Sequence, residues 1–579
     1  MNNWIEGFNA LADPQAIIML VLGVLVGIVV GALPGISATV GVALLLPFTF
    51  ALEPLTGMIL LLGIYGGAVY AGSIPAILIR TPGTPASAAT VADGFAMTQQ
   101  GKGIQALKIS LLASCLGGFV GVLLLAFFAP VIADFALGFG SSANFMLALF
   151  ALTIIASISE GRMVKGLVAG LIGLAIAMIG LDTIQGFPRL TFGNSDLISG
   201  ISFIPLMIGL FAVSEAFLQV ERITKLNLKM KPEKFRATPS WFRKIAPSGF
   251  GGSIVGFVIG IIPGVGGDIS AFVAYNESKR LAKDKSQYGK GEPRGIAAAE
   301  SAKNAGTAGA MVPTLTLGIP GDVTTAVLIG ALTVHGLQPG PTLFTGSPDL
   351  IYGLFLGFAL VYLVLLVFGW VGTRFWVRLI ESVPPRLLWP SVIVLAVVGS
   401  YAMRSNIFDV LVMFLAAILG YIMVKGGYPL APLIIGVILG PIAESGFRRA
   451  MIINDGSLVW MLEPIPLVLG ILTVLSIGFA IWQAIRKPKV LQQAEQAQLH
   501  AHEMHEVHEH ELQEASVASA AAGSTGASAT STTVADSEAA ADTAAGRPAT
   551  PESNGESPPT VDGLSNDHSD TDRRDNPGT

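Results

Sequence analysis

Two basic stretches, 221-ERITKLNLKMKPEKFRATPSWFRK-244 and 279-KRLAKDKSQYGKGEPR-294, flank one apolar segment that breaks in its middle at 263-PGVGG-267. Membrane-protein loops rich in Lys and Arg face the cytoplasm. A single crossing would put the two stretches on opposite faces, so the segment from Gly249 to Tyr275 has to enter the membrane and return. Non-helical backbone is tolerated at that depth only where protein or a water-filled cavity surrounds it. The break at Pro263-Gly264 therefore predicts a re-entrant or broken-helix hairpin that lines a path.

Composition supports a membrane setting. Charged residues make up 13% of the 579 positions and hydrophobic residues 52%, against about 25% charged in soluble domains. The apolar runs predict an all-α polytopic protein of about 11–12 transmembrane spans, each needing roughly 20 apolar residues. Cys115 is the single cysteine, which excludes an intramolecular disulfide. No Lys or Arg precedes Arg80, so the start lacks the basic region of a cleaved signal peptide and is expected outside the membrane. Spans are then expected near 55–79, 105–128, 143–159, 164–182 and 199–219. A second set follows near 296–318, 350–372, 387–403, 407–424, 429–441 and 465–485, leaving the tail cytoplasmic.

The chain also repeats itself. Gly31-Ala32-Leu33-Pro34-Gly35 matches Gly260-Ile261-Ile262-Pro263-Gly264, and 74-IPAILIRTPGTPASAAT-90 matches 312-VPTLTLGIPGDVTTAVL-328 with the prolines in register. Two motifs in the same order argue for duplication. Residues 1–220 form a first repeat, 221–247 a basic cytoplasmic loop, and 248–488 a second repeat. The first repeat starts outside and the second inside, so the repeats are expected to be inverted.

Inverted repeats with helices interrupted at matching places put a binding site near the midplane. Four interruptions are present: 33-LPGISATVG-41, 80-RTPGTPASAAT-90, 262-IPGVGGDIS-270 and 319-IPGDVTT-325. A helix restarting after Pro-Gly leaves backbone N–H groups unpaired, and its positive dipole end favours an anion. Small residues Gly35, Gly83, Gly264, Gly266 and Gly321 let backbone approach a ligand. Ser37, Thr39, Thr81, Thr84, Ser87, Thr324 and Thr325 add hydroxyls, and Asn304 is expected to face the site. Carboxylates, which need several donors at once, suit such a site. Arg80 is either a charged donor or a marker of the inner boundary of its span.

Asp268 and Asp322 would repel an anion unless each carries a cation or a proton. They are assigned to a coupling ion, Na⁺ or H⁺, with helix N-capping as the alternative, and the two roles can coexist. No other cofactor is expected. Glu300 is expected at the interface, and Glu444, Arg448, Arg449 and Asp455 in an outer loop. Trp370, Trp376, Trp460 and Trp482 read as interfacial anchors. From Lys489 the apolar runs stop, and residues 489–579 read as a disordered cytoplasmic tail. Within it His500, His502, His505, His508 and His510 could hold a divalent metal, or form a solvated tract.

The runs GALPGISATVG, YGGAVYAGSIPAILIRTPGTPASAATVADGFAM, GIIPGVGGDISAF and AAAESAKNAGTAGAMVPTLTLGIPGDVTTAVLIGAL resemble the tripartite tricarboxylate transporter family, specifically its large permease subunit, TctA. The resemblance covers residues 10 to 485. It implies an inner-membrane (plasma-membrane) permease for secondary uptake of carboxylates, citrate and related tricarboxylates giving the family its name. It also implies two partners: a small four-span membrane subunit, TctB-like, and a periplasmic or extracellular solute-binding protein, TctC-like. The long tail departs from the family pattern. Two other classes compete. An ion channel would share the hairpins but needs one ligand type around an oligomer axis. An intramembrane aspartyl protease would use Asp268 and Asp322 as a dyad, yet 264-GVGGD-268 misses the Gly-x-Gly-Asp pattern and leaves the Ser/Thr-bearing half-helices without a task.

Overall fold

The computed structural model describes residues 2–33, 35–158, 163–182, 184–221, 239–264, 266–382 and 385–485. Most of the basic loop, Pro34, Val265, and the tail with His500, His502, His505, His508 and His510 lie outside the described residues, as do the side chains of Arg374, Arg378, Arg386 and Trp482. The chain divides between Pro488 and Lys489, where the apolar runs end.

The described part is almost wholly helical, the exception being a short antiparallel pair of Gly180–Leu181 with Pro188–Arg189. Proline opens the helices Pro14–Ala32, Pro54–Ala71, Pro293–Leu317 and Pro348–Ser382. Its missing N–H costs nothing at that position. Among the described residues, eight helices are long and apolar enough to cross a membrane. The chain is a multi-pass membrane protein. The weak span expected at 429–441 is in fact Leu430–Ile453, because the helix continues through Pro441 and a polar last third.

The duplication is visible in how the helices pack. Gly23, Gly27 and Gly31 press against the backbone of Leu60, Ile64 and Ala68, while Gly252, Gly256 and Gly260 press against Ala298, Ala302 and Gly306. The glycines differ by a constant 229 positions and their partners by a constant 238, so one contact surface occurs twice. Any Cβ on these six glycines would collide with that backbone. Close approach through small residues is how helices associate where lipid removes the hydrophobic driving force.

Each half then breaks its helices in the same way. Gly35 and Gly264 follow the prolines with φ of 90° and 81°, a conformation only glycine takes freely. The helices before the second breaks end on left-handed caps at Arg80 and Gly318, whose N–H groups bond Pro75 and Pro313 carbonyls. Beyond the breaks the long helices Gly103–Ala136 and Pro348–Ser382 match in length, at 34 and 35 residues.

The later helices are exchanged between halves. The π-helical segment Ile208–Val213 packs on Ile407–Lys425, and Leu430–Ile453 packs on Ser141–Ile158 and Met163–Ala177. Each half thus packs its later helices on the other.

Candidate functional site

The four interruptions converge on one cavity of about 240 Å³. Ser37, Thr39, Thr84, Gly264, Asp268, Asp322 and Thr324 line it, together with Tyr65, Lys303 and Thr307. A larger cavity of about 360 Å³ lies elsewhere, between Ile179, Phe203, Met403 and Val437, and its lining holds no titratable side chain. The chemistry therefore concentrates at the smaller one.

Two mirrored contacts close the site. Thr39, from the first break, hydrogen-bonds Thr324 at 2.8 Å. Asp268, which stands where Thr39 does in the second half, accepts the N–H of Ala86 at 3.1 Å, and Ala86 stands where Thr324 does. Each first-break helix thus touches the second-break helix of the opposite half. Ser37 caps Ala38–Leu45 through the Val40 N–H at 3.3 Å.

Asp322 caps Val323–Val334, accepting the Thr325 N–H at 2.7 Å while the Thr325 hydroxyl accepts the Asp322 N–H at 2.9 Å. Its other oxygen accepts the Tyr65 hydroxyl. The capping alternative thus describes Asp322. Asp268 sits inside the first turn of Gly266–Leu281 and reaches across to the other half instead.

The remaining residues expected at the site form a layer behind it or lie away. Ser87 backs Thr84 at 2.7 Å, Thr325 belongs to the capping pair, and Gly266 lies against Asp322. Gly321 accepts the Gly264 N–H at 2.7 Å through its carbonyl, tying together the two breaks of the second half. Gly35 packs beside Gln219, and Gly83 between Gly31 and Gly72. Thr81 and Arg80 are exposed, which leaves Arg80 as a helix cap and not a donor to the cavity. Asn304 is buried outside the lining, its amide donating to the Glu300 carbonyl at 3.0 Å and its Oδ1 without a protein partner.

Glu300 contradicts its interfacial expectation. It is fully buried, and its carboxylate accepts Ser73 and Thr90 at 2.5 Å and Ser110 and Ser114 at 3.0 Å. Lys303, equally buried, pairs with it at 3.0 Å and also donates to Ser73 and to Ser87, the latter at 3.1 Å. A sequence signal existed: Glu300 and Lys303 stand three apart inside an expected span, where ionisable residues mark function. Counting ten residues back from Pro75 reaches Tyr65, and from Pro313 reaches Lys303. The repeat therefore places Tyr65 against Asp322 and Lys303 against the Thr84–Ser87 turn, in equivalent positions.

Other expectations also need correction. Glu444 and Arg448 belong to the helix Leu430–Ile453 and not to a loop. They pair with Arg189 at 2.6 Å and with Asp182 at 2.6 Å, pinning the segment around the short strands. The Gln185 and Ile184 N–H groups, with Arg448, hold Asp182 down to about 2. Trp460 and Trp376 are buried within the protein, Trp460 against Phe145 and Phe447, so neither is an interfacial anchor.

A family model described as the tripartite tricarboxylate transporter TctA family matches residues 17–435. An uncharacterised 52.8 kDa protein in the TAR-I ttuC' 3' region of Agrobacterium vitis is 36% identical over 492 residues, 84% of this chain and 98% of its own length. A second uncharacterised protein of that organism, in the TAR-II ttuC' 3' region, is 34% identical over 235 residues, 40% of this chain and 97% of its own length. No solved structure matches.

Proposed function

Because the chain belongs to the tripartite tricarboxylate transporter TctA family, we propose that it is the large permease of a three-component importer of carboxylates, driven by Na⁺ or H⁺. The observation that carries this reading is the cavity walled by all four interrupted motifs, with Ser37, Thr39, Thr84 and Thr324 hydroxyls on it. Three of these lie at or beside restarted helix ends, where N–H groups and the dipole favour a carboxylate by up to about 2 kcal/mol each in partly buried geometry.

Asp268 and Asp322 stand on the same cavity. An anionic solute would meet two carboxylates there, at a depth where uncompensated charge costs several kcal/mol. A cation or proton held by them cancels that repulsion. This makes uptake obligatorily coupled and gives a transporter in place of an open channel. Membership of a transporter family also favours transport over proteolysis by the two acids. In this reading a small membrane subunit and an external solute-binding protein deliver the carboxylate. The N-terminus lies outside and the tail inside, in the inner or plasma membrane.

The test is uptake of labelled citrate, succinate and malate into vesicles carrying all three components, with Na⁺ replaced by choline and with the proton gradient collapsed in parallel. Accumulation of at least one carboxylate, lost under one of the two treatments, is expected. Accumulation of none, or uptake indifferent to both gradients, sinks the reading.

A further inference from the structure

The cavity holds one cationic side chain among the described residues, and it is not free. Lys303 is completely buried, lines the cavity, and is bound to Glu300, which does not line it. Taking such a pair out of water is expensive, and a pair of apolar residues of similar volume is commonly as stable or more so. Its retention at this point suggests a task other than stability.

The surroundings indicate the task. Every hydroxyl on the Glu300 carboxylate comes from the first half: Ser73, Thr90, Ser110 and Ser114. With four hydroxyls, Glu300 keeps hydrogen-bond partners even if Lys303 lets go. All three ammonium donors of Lys303 are engaged, but two of them go to the neutral hydroxyls Ser73 and Ser87, which a carboxylate can replace. Ser87 in turn bonds Thr84 on the cavity wall at 2.7 Å.

We propose that Lys303 is the fixed positive charge that takes one carboxylate group of the transported solute, with Glu300 as its resting counter-ion. The inference rests on the carboxylate reading above and deepens it. In the empty site the ammonium is neutralised by Glu300. When a carboxylate arrives, Lys303 turns from Glu300 and the serine hydroxyls to the solute, while four hydroxyls hold the Glu300 charge in place. On release, Glu300 recovers its partner, which keeps the solute from being trapped. The helix ends and hydroxyls then serve the remaining anionic groups, and the two aspartates the coupling ion.

The test uses the full-length protein in lipid nanodiscs and the carboxylate that the wild type accumulates, alongside its analogue with one carboxylate converted to an amide. Lys303→Met alone strands Glu300 in the core and is prone to misfolding, so the decisive variant is the double Glu300→Gln/Lys303→Met. It is expected to keep its thermal midpoint within a few degrees and to bind the carboxylate at least tenfold more weakly. Its preference for the carboxylate over the half-amide should fall to near one. Lys303→Arg should retain most of that preference. Glu300→Gln should bind severalfold more tightly and exchange more slowly. A folded double variant with wild-type affinity and preference overturns the assignment of Lys303. Unchanged affinity and exchange in Glu300→Gln overturns the role of Glu300. If the wild type accumulates no carboxylate, the functional reading fails first and this inference falls with it.

Discussion

In the first half, Ser37 and Thr39 follow the first break and Thr84 follows the second; in the second half the same positions hold Gly266, Asp268 and Asp322. Ten residues before the helix proline the first half has Tyr65, and the second has Lys303. Backbone devices are shared, namely the glycine stripes, the Pro-Gly turns and the left-handed caps. Side-chain charge is not. Asp268, Glu300, Lys303 and Asp322 all come from the second half, while the hydroxyls that meet Glu300, Lys303 and Asp322 from outside their own half come from the first. The scaffold is repeated, but the charged side chains on the cavity, Asp268, Lys303 and Asp322, all come from one half.

That difference is broken or sharpened first at the paired positions Asp268 and Thr39. Both bridge to the opposite half, but only one can carry a coupling ion. Asp268→Asn and Asp322→Asn are each expected to lower carboxylate uptake by at least about 100-fold, about 2.7 kcal/mol of lost stabilisation. Thr39→Val removes one neutral hydrogen bond worth about 1 kcal/mol, so a loss of roughly fivefold is expected. Initial uptake rates, normalised to protein in the membrane, decide it. Equal losses at Thr39 and Asp268 would show that the halves are functionally alike.

How much of this the sequence revealed follows from what kind of signal each feature leaves. Pro34-Gly35, Pro263-Gly264 and the Pro-Gly pairs near residues 82 and 320 are local breaks in apolar runs, so the four motifs could be read directly. That they meet around one cavity depends on packing, yet the duplication already implied it. Lys303 is not singled out by its own stretch because its helix mixes polar and small residues and is buried by Gly103–Ala136 of the first half and by Pro239–Gly260 and Gly266–Leu281 of the second, packing that no local window sees. The same limit makes Glu300 read as interfacial in the sequence. The glycine stripes 23-GVLVGIVVG-31 and 252-GSIVGFVIG-260 repeat in the sequence, but what they pack on, Leu60 to Ala68 and Ala298 to Gly306, is distant in the chain and emerges only from the fold. Thr81 and Gly35 carried the right residue type and the right motif, and the turns point them elsewhere.

The next comparison concerns the shared scaffold. Gly27→Leu and Gly256→Leu insert bulk at equivalent contacts against Ile64 and Ala302 backbone. Overpacking a well-packed contact costs about 1–3 kcal/mol, and the two variants should lose similar stability by thermal unfolding in detergent. A cost at one position only would mean that the repeated surface bears load in one half alone.

The smallest expected effect lies at the caps, where the halves differ by Arg80 and Gly318 in the same left-handed conformation, with φ of 62° and 68°. A non-glycine residue there carries strain of about 1–2 kcal/mol. Glycine relieves it but makes the unfolded chain more flexible, which returns about 0.4–1 kcal/mol. Arg80→Gly should therefore stabilise the protein slightly, raising the thermal midpoint by a degree or two at most, with uptake unchanged because the exposed guanidinium does not line the cavity. Gly318→Ala should lower the midpoint by more, because its Cβ would also meet the Pro339 carbonyl at 2.9 Å. A large loss of uptake in Arg80→Gly would give the first half a functional charge of its own and remove the asymmetry between the halves.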